Sequence, residues 1–167
     1  MQINPAYSTV LLKQARQHFK KTGVVQLMSF LEDANLNPIW KHKCDPLKYS
    51  CRESKCKLSK EFKETIKLLT GKLVKSSKLL MFKKGDYTVL YDGMKQPNVV
   101  LFLDFVDMKE SWGGYTAFIK NSAEVFRIVP KANTLTLVDC SKISFFTKYV
   151  NHHAKNTRIV LCAELDK

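Results

Sequence analysis

The chain has 167 residues, 45% of them hydrophobic, and carries a formal net charge of +13. That is enough length and apolar content for one buried core. No run approaches the roughly 18 consecutive apolar residues of a membrane-spanning helix, and MQINPAYSTVLLKQ lacks the basic-then-apolar order of a secretory leader, so a single cytoplasmic domain without membrane contact is expected. The charge is regional: Lys41 to Lys84 hold 14 Lys/Arg against 4 Asp/Glu, and the remainder holds 14 against 11. Such a field favours polyanions such as RNA, DNA or an anionic membrane. The plain alternative is a solvated lysine-rich surface.

In chain order, residues 7–21 (YSTVLLKQARQHFKK) space Val10, Leu11, Leu12, Ala15 and Phe19 as an amphipathic helix does, and Thr22-Gly23 stops it. VVQLMSFL (24–31) is an apolar run short enough for one buried strand. Residues 41–57 show no periodicity and read as a surface loop. Within it, His42, Cys44, Cys51 and Cys56 are groups that zinc prefers. Their spacing, H-x-C-x6-C-x4-C, lacks the paired C-x2-C knuckles of a zinc site, so free surface thiols are expected. An odd total of five cysteines argues against a disulfide framework, and Cys140 and Cys162 lie in apolar strand contexts that predict buried thiols. In SKEFKETIKLLTG, Ser59 is placed to cap a helix through Phe62, Ile66 and Leu69 that Gly71 ends.

After Gly71 the pattern turns strand-like and stays so. KLLMFKKG, DYTVLYD, NVVLFLDFV, GYTAFIK, EVFRIVP, TLTLVDC, ISFFTKYV and TRIVLCAEL are short, β-branched and aromatic, with turn residues between them. Eight such segments after two helices predict an α+β protein whose core is a β-sandwich or jelly roll, with the N-terminal helices packed on one face. The two parts meet near residue 70, a helical part over about 1–70 and strands over about 71–167. Gly113 and Gly114 read as backbone requirements of a turn, and Trp112 as a packed aromatic.

The order of these motifs resembles the double-stranded β-helix of the 2-oxoglutarate/Fe(II) prolyl hydroxylases, most closely the prolyl dihydroxylases of a small-subunit ribosomal protein. VVQLMSFLED is similar to that family's opening strand, and FKETIKLLTG to its helix ending in Thr-Gly. KKGDYTVLYD is similar to the strand bearing the first iron ligands, NVVLFLDFVDMKESWGGYTAFI to its hairpin, and FFTKYVNHHAKNTRIVLCAEL to its closing strands. The resemblance implies a His-x-Asp pair, a distal His and an Arg gripping 2-oxoglutarate. The iron-ligand positions fall on Tyr91, Gly93 and Thr147, none of which is a ligand of that kind. The arginine position falls on Arg158, which is present. Sliding the first motif offers Asp92 but puts Leu90 at the imidazole position. His152 and His153 lie in a turn, where solvated histidines are the plain reading. Arg158 is then either a binder of an acidic molecule or a relic paired with Asp104 or Asp139.

The expectation is a non-catalytic oxygenase-like protein with no cofactor and no metal. It binds RNA or a ribonucleoprotein, the ribosome by analogy with where the dihydroxylases act. The docking lysines are expected on the helix 59–70 and the stretch after it, at Lys60, Lys63, Lys67, Lys72, Lys75, Lys78, Lys83 and Lys84. Two other classes stay open: a divergent Fe(II)/2-oxoglutarate protein hydroxylase, and a protein-interaction module that competes with an active homologue.

Overall fold

The computed structural model describes residues 1–33, 36–45, 47–90 and 98–166. Both predicted helices are present, and their ends follow the expected chemistry. In α1 (Thr9–Thr22) the Ser8 hydroxyl accepts from the Leu11 amide and Gly23 closes the helix at φ 76°. In α2 (Lys60–Thr70) the Ser59 hydroxyl accepts from the Phe62 amide and Gly71 closes at φ 76°. A left-handed closing residue of this kind favours glycine because it has no Cβ to clash. The buried stripe of α2, Phe62, Ile66 and Leu69, has no exposed surface at all.

The run 24–31 is not one strand. It forms β2 (Val24–Met28) and, after a break, β3 (Leu31–Asp33), which pairs with β1 (Gln2–Ile3). The break sits at Ser29, whose φ is 52°. It is held from a distance: the Asn133 side chain accepts from the Leu31 amide and donates to the Leu31 carbonyl, both at 2.8 Å.

Residues 41–57 are not a loop either. They contain the antiparallel hairpin β4 (Lys41–Asp45) and β5 (Tyr49–Lys55). Its pattern escapes a periodicity search because Lys41, His42, Lys43 and Cys44 are all exposed, so neither face of β4 is apolar. The N-terminal part thus supplies strands as well as helices.

The eight strand segments expected after Gly71 are all present: β6 (Val74–Phe82), β7 (Tyr87–Thr88), β8 (Val99–Asp104), β9 (Thr116–Lys120), β10 (Ala123–Ile128), β11 (Thr134–Asp139), β12 (Ser144–Thr147) and β13 (Arg158–Leu165). The major sheet runs β2-β11-β8-β13-β6-β5-β4, with β7 also on β5, and the minor sheet runs β10-β9-β12. This is a jelly-roll core with two helices on the outer face. The alternation of β8 shows both layers. Val99, Leu101 and Leu103 pack under Phe62, Ile66 and Leu69 of α2, whereas Val100 and Phe102 pack with Phe118 of β9. A strand covered on both sides reads as a continuous apolar run, as VVLFLD does.

One clasp joins the layers at the barrel's end. The Val150 carbonyl accepts from the Gly85 amide at 2.9 Å, and the Val150 amide donates to Asp86 O at 3.0 Å. From the same segment, Asn151 N donates to Trp112 O and Lys148 O accepts from Gly114 N, each at 3.0 Å.

Candidate functional site

Arg158 opens β13, and strand alternation sends its side chain, with those of Val160 and Cys162, toward the space between the sheets. It is 0% exposed. An unpaired guanidinium there is untenable, and its partners are all protein groups. Nε donates to Asp104 Oδ1 at 2.8 Å and Nη2 to Asp104 Oδ2 at 3.3 Å, while Nη1 donates to the Gly114 carbonyl at 2.9 Å and to Thr116 Oγ1 at 2.8 Å. Four of the five N–H donors of the group are therefore spent. Of the two partners considered from sequence, it is Asp104 that binds; Asp139 is exposed and accepts from the Ser141 amide. Burial pushes the Asp104 carboxyl above the ordinary carboxylate range, and the charge and hydrogen bonds of Arg158 pull it back.

Thr147 lies in the same layer. It is directly opposite Thr116 in the β12–β9 register, and its amide donates to Thr88 Oγ1 at 2.6 Å. A surface groove of about 380 Å³ opens here, walled by Tyr87, Thr88, Leu90, Phe146, Thr147 and Tyr149. The other two ligand positions, Tyr91 and Gly93, with Asp92, fall outside the described residues. His152 and His153 are exposed, with ring centroids 3.8 Å apart and the rings tilted by 43°.

An Fe(II) site of the two-His-one-carboxylate kind needs imidazole and carboxylate together. Among the described residues no group of three or more His, Cys, Asp or Glu stands close enough to hold a metal, and the groove beside Thr147 offers only hydroxyl, phenol, amine and hydrocarbon. Arg158 has its bidentate face filled by Asp104. The described residues do not fit iron or 2-oxoglutarate.

The zinc candidates are divided by the pleat. His42 and Cys44 lie on one face of the hairpin, whereas Cys51, paired with Lys43 in register, lies on the other. Cys44 is exposed as expected, but Cys51 is buried and Cys56 half-buried, so these are not three surface thiols. Cys140 is buried and Cys162 half-buried. Burial pushes the Cys51 thiol up to about 11 and the Cys140 thiol up to about 12.

The eight lysines expected to dock a polyanion do not form one surface. Lys60, Lys63 and Lys67 are exposed on α2, with Lys60 3.9 Å from Glu64. Lys75 is exposed but Lys72 is half-buried. Lys78 is registered with Cys162 and therefore lies on the inner face, opposite α2. Lys83 and Lys84 follow the far end of β6, about 26 Å from Lys75 at ~3.3 Å per residue. Sequence reasoning also passed over Lys41, Lys43 and Lys55, which share the inner face with Lys78. The alternation K-H-K at 41–43 was the available signal, hidden by the loop reading.

The sequence matches no family model and no curated protein. Solved structures do match in fold. A 2-oxoglutarate/Fe(II) oxygenase-family oxidoreductase from Burkholderia pseudomallei superposes with a TM-score of 0.68 at 10% identity, covering 99% of this chain and 93% of that one. A Pseudomonas putida prolyl-4-hydroxylase gives 0.66 at 11% identity, over 94% and 99% of the two chains. A Trichoplax adhaerens prolyl hydroxylase in complex with a hypoxia-inducible-factor peptide gives 0.60 at 12%, over 95% and 90%. The fold is the one shared by 2-oxoglutarate/Fe(II) oxygenases, prolyl hydroxylases among them. Among the described residues no helix is long and apolar enough to cross a membrane.

Proposed function

We propose that this chain is a non-catalytic protein built on the oxygenase fold, and that it binds RNA or a ribonucleoprotein in the cytoplasm through its basic surface. The observation that carries the first half is the Arg158–Asp104 pair: a side chain carboxylate occupies the arginine that the resemblance assigns to 2-oxoglutarate. The second half rests on charge. An excess of +10 out of +13 lies between Lys41 and Lys84, and most of those lysines are solvent-facing, which suits a phosphate backbone. The ribosome is the polyanion favoured by analogy with the prolyl dihydroxylases of a ribosomal protein.

The test combines elemental analysis, calorimetry with Fe(II) and 2-oxoglutarate, and RNA binding across a salt series on the purified protein. The expected result is neither iron nor 2-oxoglutarate at stoichiometric levels, together with RNA affinity that falls steeply as salt rises. Stoichiometric iron with 2-oxoglutarate makes it a hydroxylase, like the enzymes that share its fold. Tight, salt-insensitive capture of a protein in place of RNA makes it an interaction module.

A further inference from the structure

We propose that a trough on the inner face of β4, β5 and β6 holds one strand of RNA by its phosphates. This rests on the polyanion-binding reading above and moves the contact away from α2. Beyond the part of the major sheet that packs on the minor sheet, the hairpin extension leaves a groove of about 490 Å³, bordered by Ile39, Lys41, Lys43, Glu53 and Lys55. Its floor follows from register. Lys41 is opposite Glu53, Lys43 opposite Cys51, and Lys55 opposite Lys78. Paired residues share a face, so Lys41, Lys43, Lys55 and Lys78 meet Glu53 there, with Asp45 two residues beyond Lys43 and Glu164 two residues beyond Cys162, the partner of Lys78.

Glu53 is already engaged, with Lys78 Nζ 3.4 Å from its Oε2. With Asp45 held by Lys48 at 3.4 Å, Lys41, Lys43 and Lys55 remain against Glu164, a surplus of two positive charges on this face. Lys55 and Lys78 stand directly across from each other, an arrangement that costs stability between neighbouring strands. Packing does not require it, since Lys41, Lys43, Lys55 and Lys78 are all exposed. A bound anion between them turns that repulsion into attraction.

The shape selects a strand. Residues two apart on β4 lie about 6.6 Å from each other and adjacent strands about 4.8 Å, close to the separation of successive phosphates along one chain. Three strands make a channel only about 10 Å across, which tracks one backbone, as grooves for single-stranded nucleic acid do. Ile39, 81% exposed on the rim, gives an unstacked base apolar surface that a duplex does not use. A recessed groove is also a poor match to the flat face of a membrane.

The experiment is fluorescence anisotropy with a short labelled uridine oligonucleotide over a salt series, using the full chain. We expect K41Q/K43Q/K55Q to weaken binding about tenfold or more at low salt and to flatten the log–log salt slope by about 2, at ~0.7 for each phosphate no longer neutralised. K60Q/K63Q/K67Q on α2 is expected to bind within about twofold of the parent. Glutamine keeps most of the side chain length at exposed sites, and a melting curve checks each variant's fold. Parental affinity and slope in the trough variant overturn the proposal. If the α2 variant loses binding instead, the trough is rejected while RNA binding stands. If the parent binds no oligonucleotide at all, the reading it rests on falls with it. A same-length duplex binding more tightly than the single strand, or trough-dependent binding of phosphatidylserine vesicles in its absence, also overturns the assignment.

Discussion

Asp104 and Arg158 are diagonal neighbours on adjacent strands, joined by two hydrogen bonds of 2.8 and 3.3 Å and exposed by no more than 1% each. Removing one partner strands the other in the interior, where an unpaired charge costs about 3–5 kcal/mol. Asp104→Leu and Arg158→Met are each expected to lower unfolding free energy by about that much in urea titration. Combining Asp104→Leu with Arg158→Met replaces the pair with hydrocarbon and should cost far less than the sum. Strict additivity of the two single effects would show that the groups do not act as a pair.

Gly113 is held at φ 70°, and a Cβ there would meet the Tyr149 carbonyl oxygen at 1.9 Å. That neighbour is backbone and cannot swing aside. Gly113→Ala is therefore expected to cost about 3 kcal/mol or more, or to prevent folding. Gly85, at φ 88° with nothing within 4 Å of its would-be Cβ, isolates the backbone component, and Gly85→Ala should cost only about 1 kcal/mol. Equal losses at the two sites would remove the clash as the cause.

Two buried thiols give stability a downward slope in alkali. The folded-state values of Cys51 and Cys140 are raised from an ordinary 9.0 to about 11 and about 12. Between about pH 9 and those values the unfolded chain sheds protons that the folded chain keeps. Unfolding thus becomes easier as pH rises, by up to about 1.4 kcal/mol per pH unit for each fully buried thiol. Cys140→Ala should flatten the stability profile above pH 9. A thiol reagent should modify exposed Cys44 in the native protein and reach Cys140 only on unfolding.

Ser59 supplies one hydroxyl to the start of α2, at 3.2 Å from the Phe62 amide. Ser59→Ala leaves that amide without its cap and is expected to lower stability by about 1 kcal/mol, whereas Ser59→Asp should restore it. Chemical denaturation of the three proteins checks both directions.

The sequence carried the jelly roll well because its strands advertise themselves. VVLFLD is apolar throughout, being covered on both faces, and Ser59 and Gly71 frame a helix with one apolar stripe. What failed to show lies where long-range contacts or exposure decide. The break at Ser29 depends on Asn133, more than a hundred residues away, and no local pattern announces it. The β4–β5 hairpin is polar on the exposed strand and so has no period to detect. At the arginine, residue type and position were legible, but its other partners, the Gly114 carbonyl and Thr116 hydroxyl, come from a turn and a strand that only the folded chain brings near.

The clasp at Val150 bears on how the molecule breathes. Backbone bonds from this one residue reach the Gly85–Asp86 turn after β6, while those of its neighbours fasten the segment to Trp112 and Gly114 beside β9 in its own layer, so the two layers cannot part at that end without losing both Val150 bonds together. Separation is expected to begin at β10, an edge of the minor sheet that among the described residues pairs with β9 alone and is exposed over Ala123–Val125. The Val150 and Gly85 amides should therefore exchange hydrogen with solvent near the rate of global opening, and the outer strand of the minor sheet should exchange first.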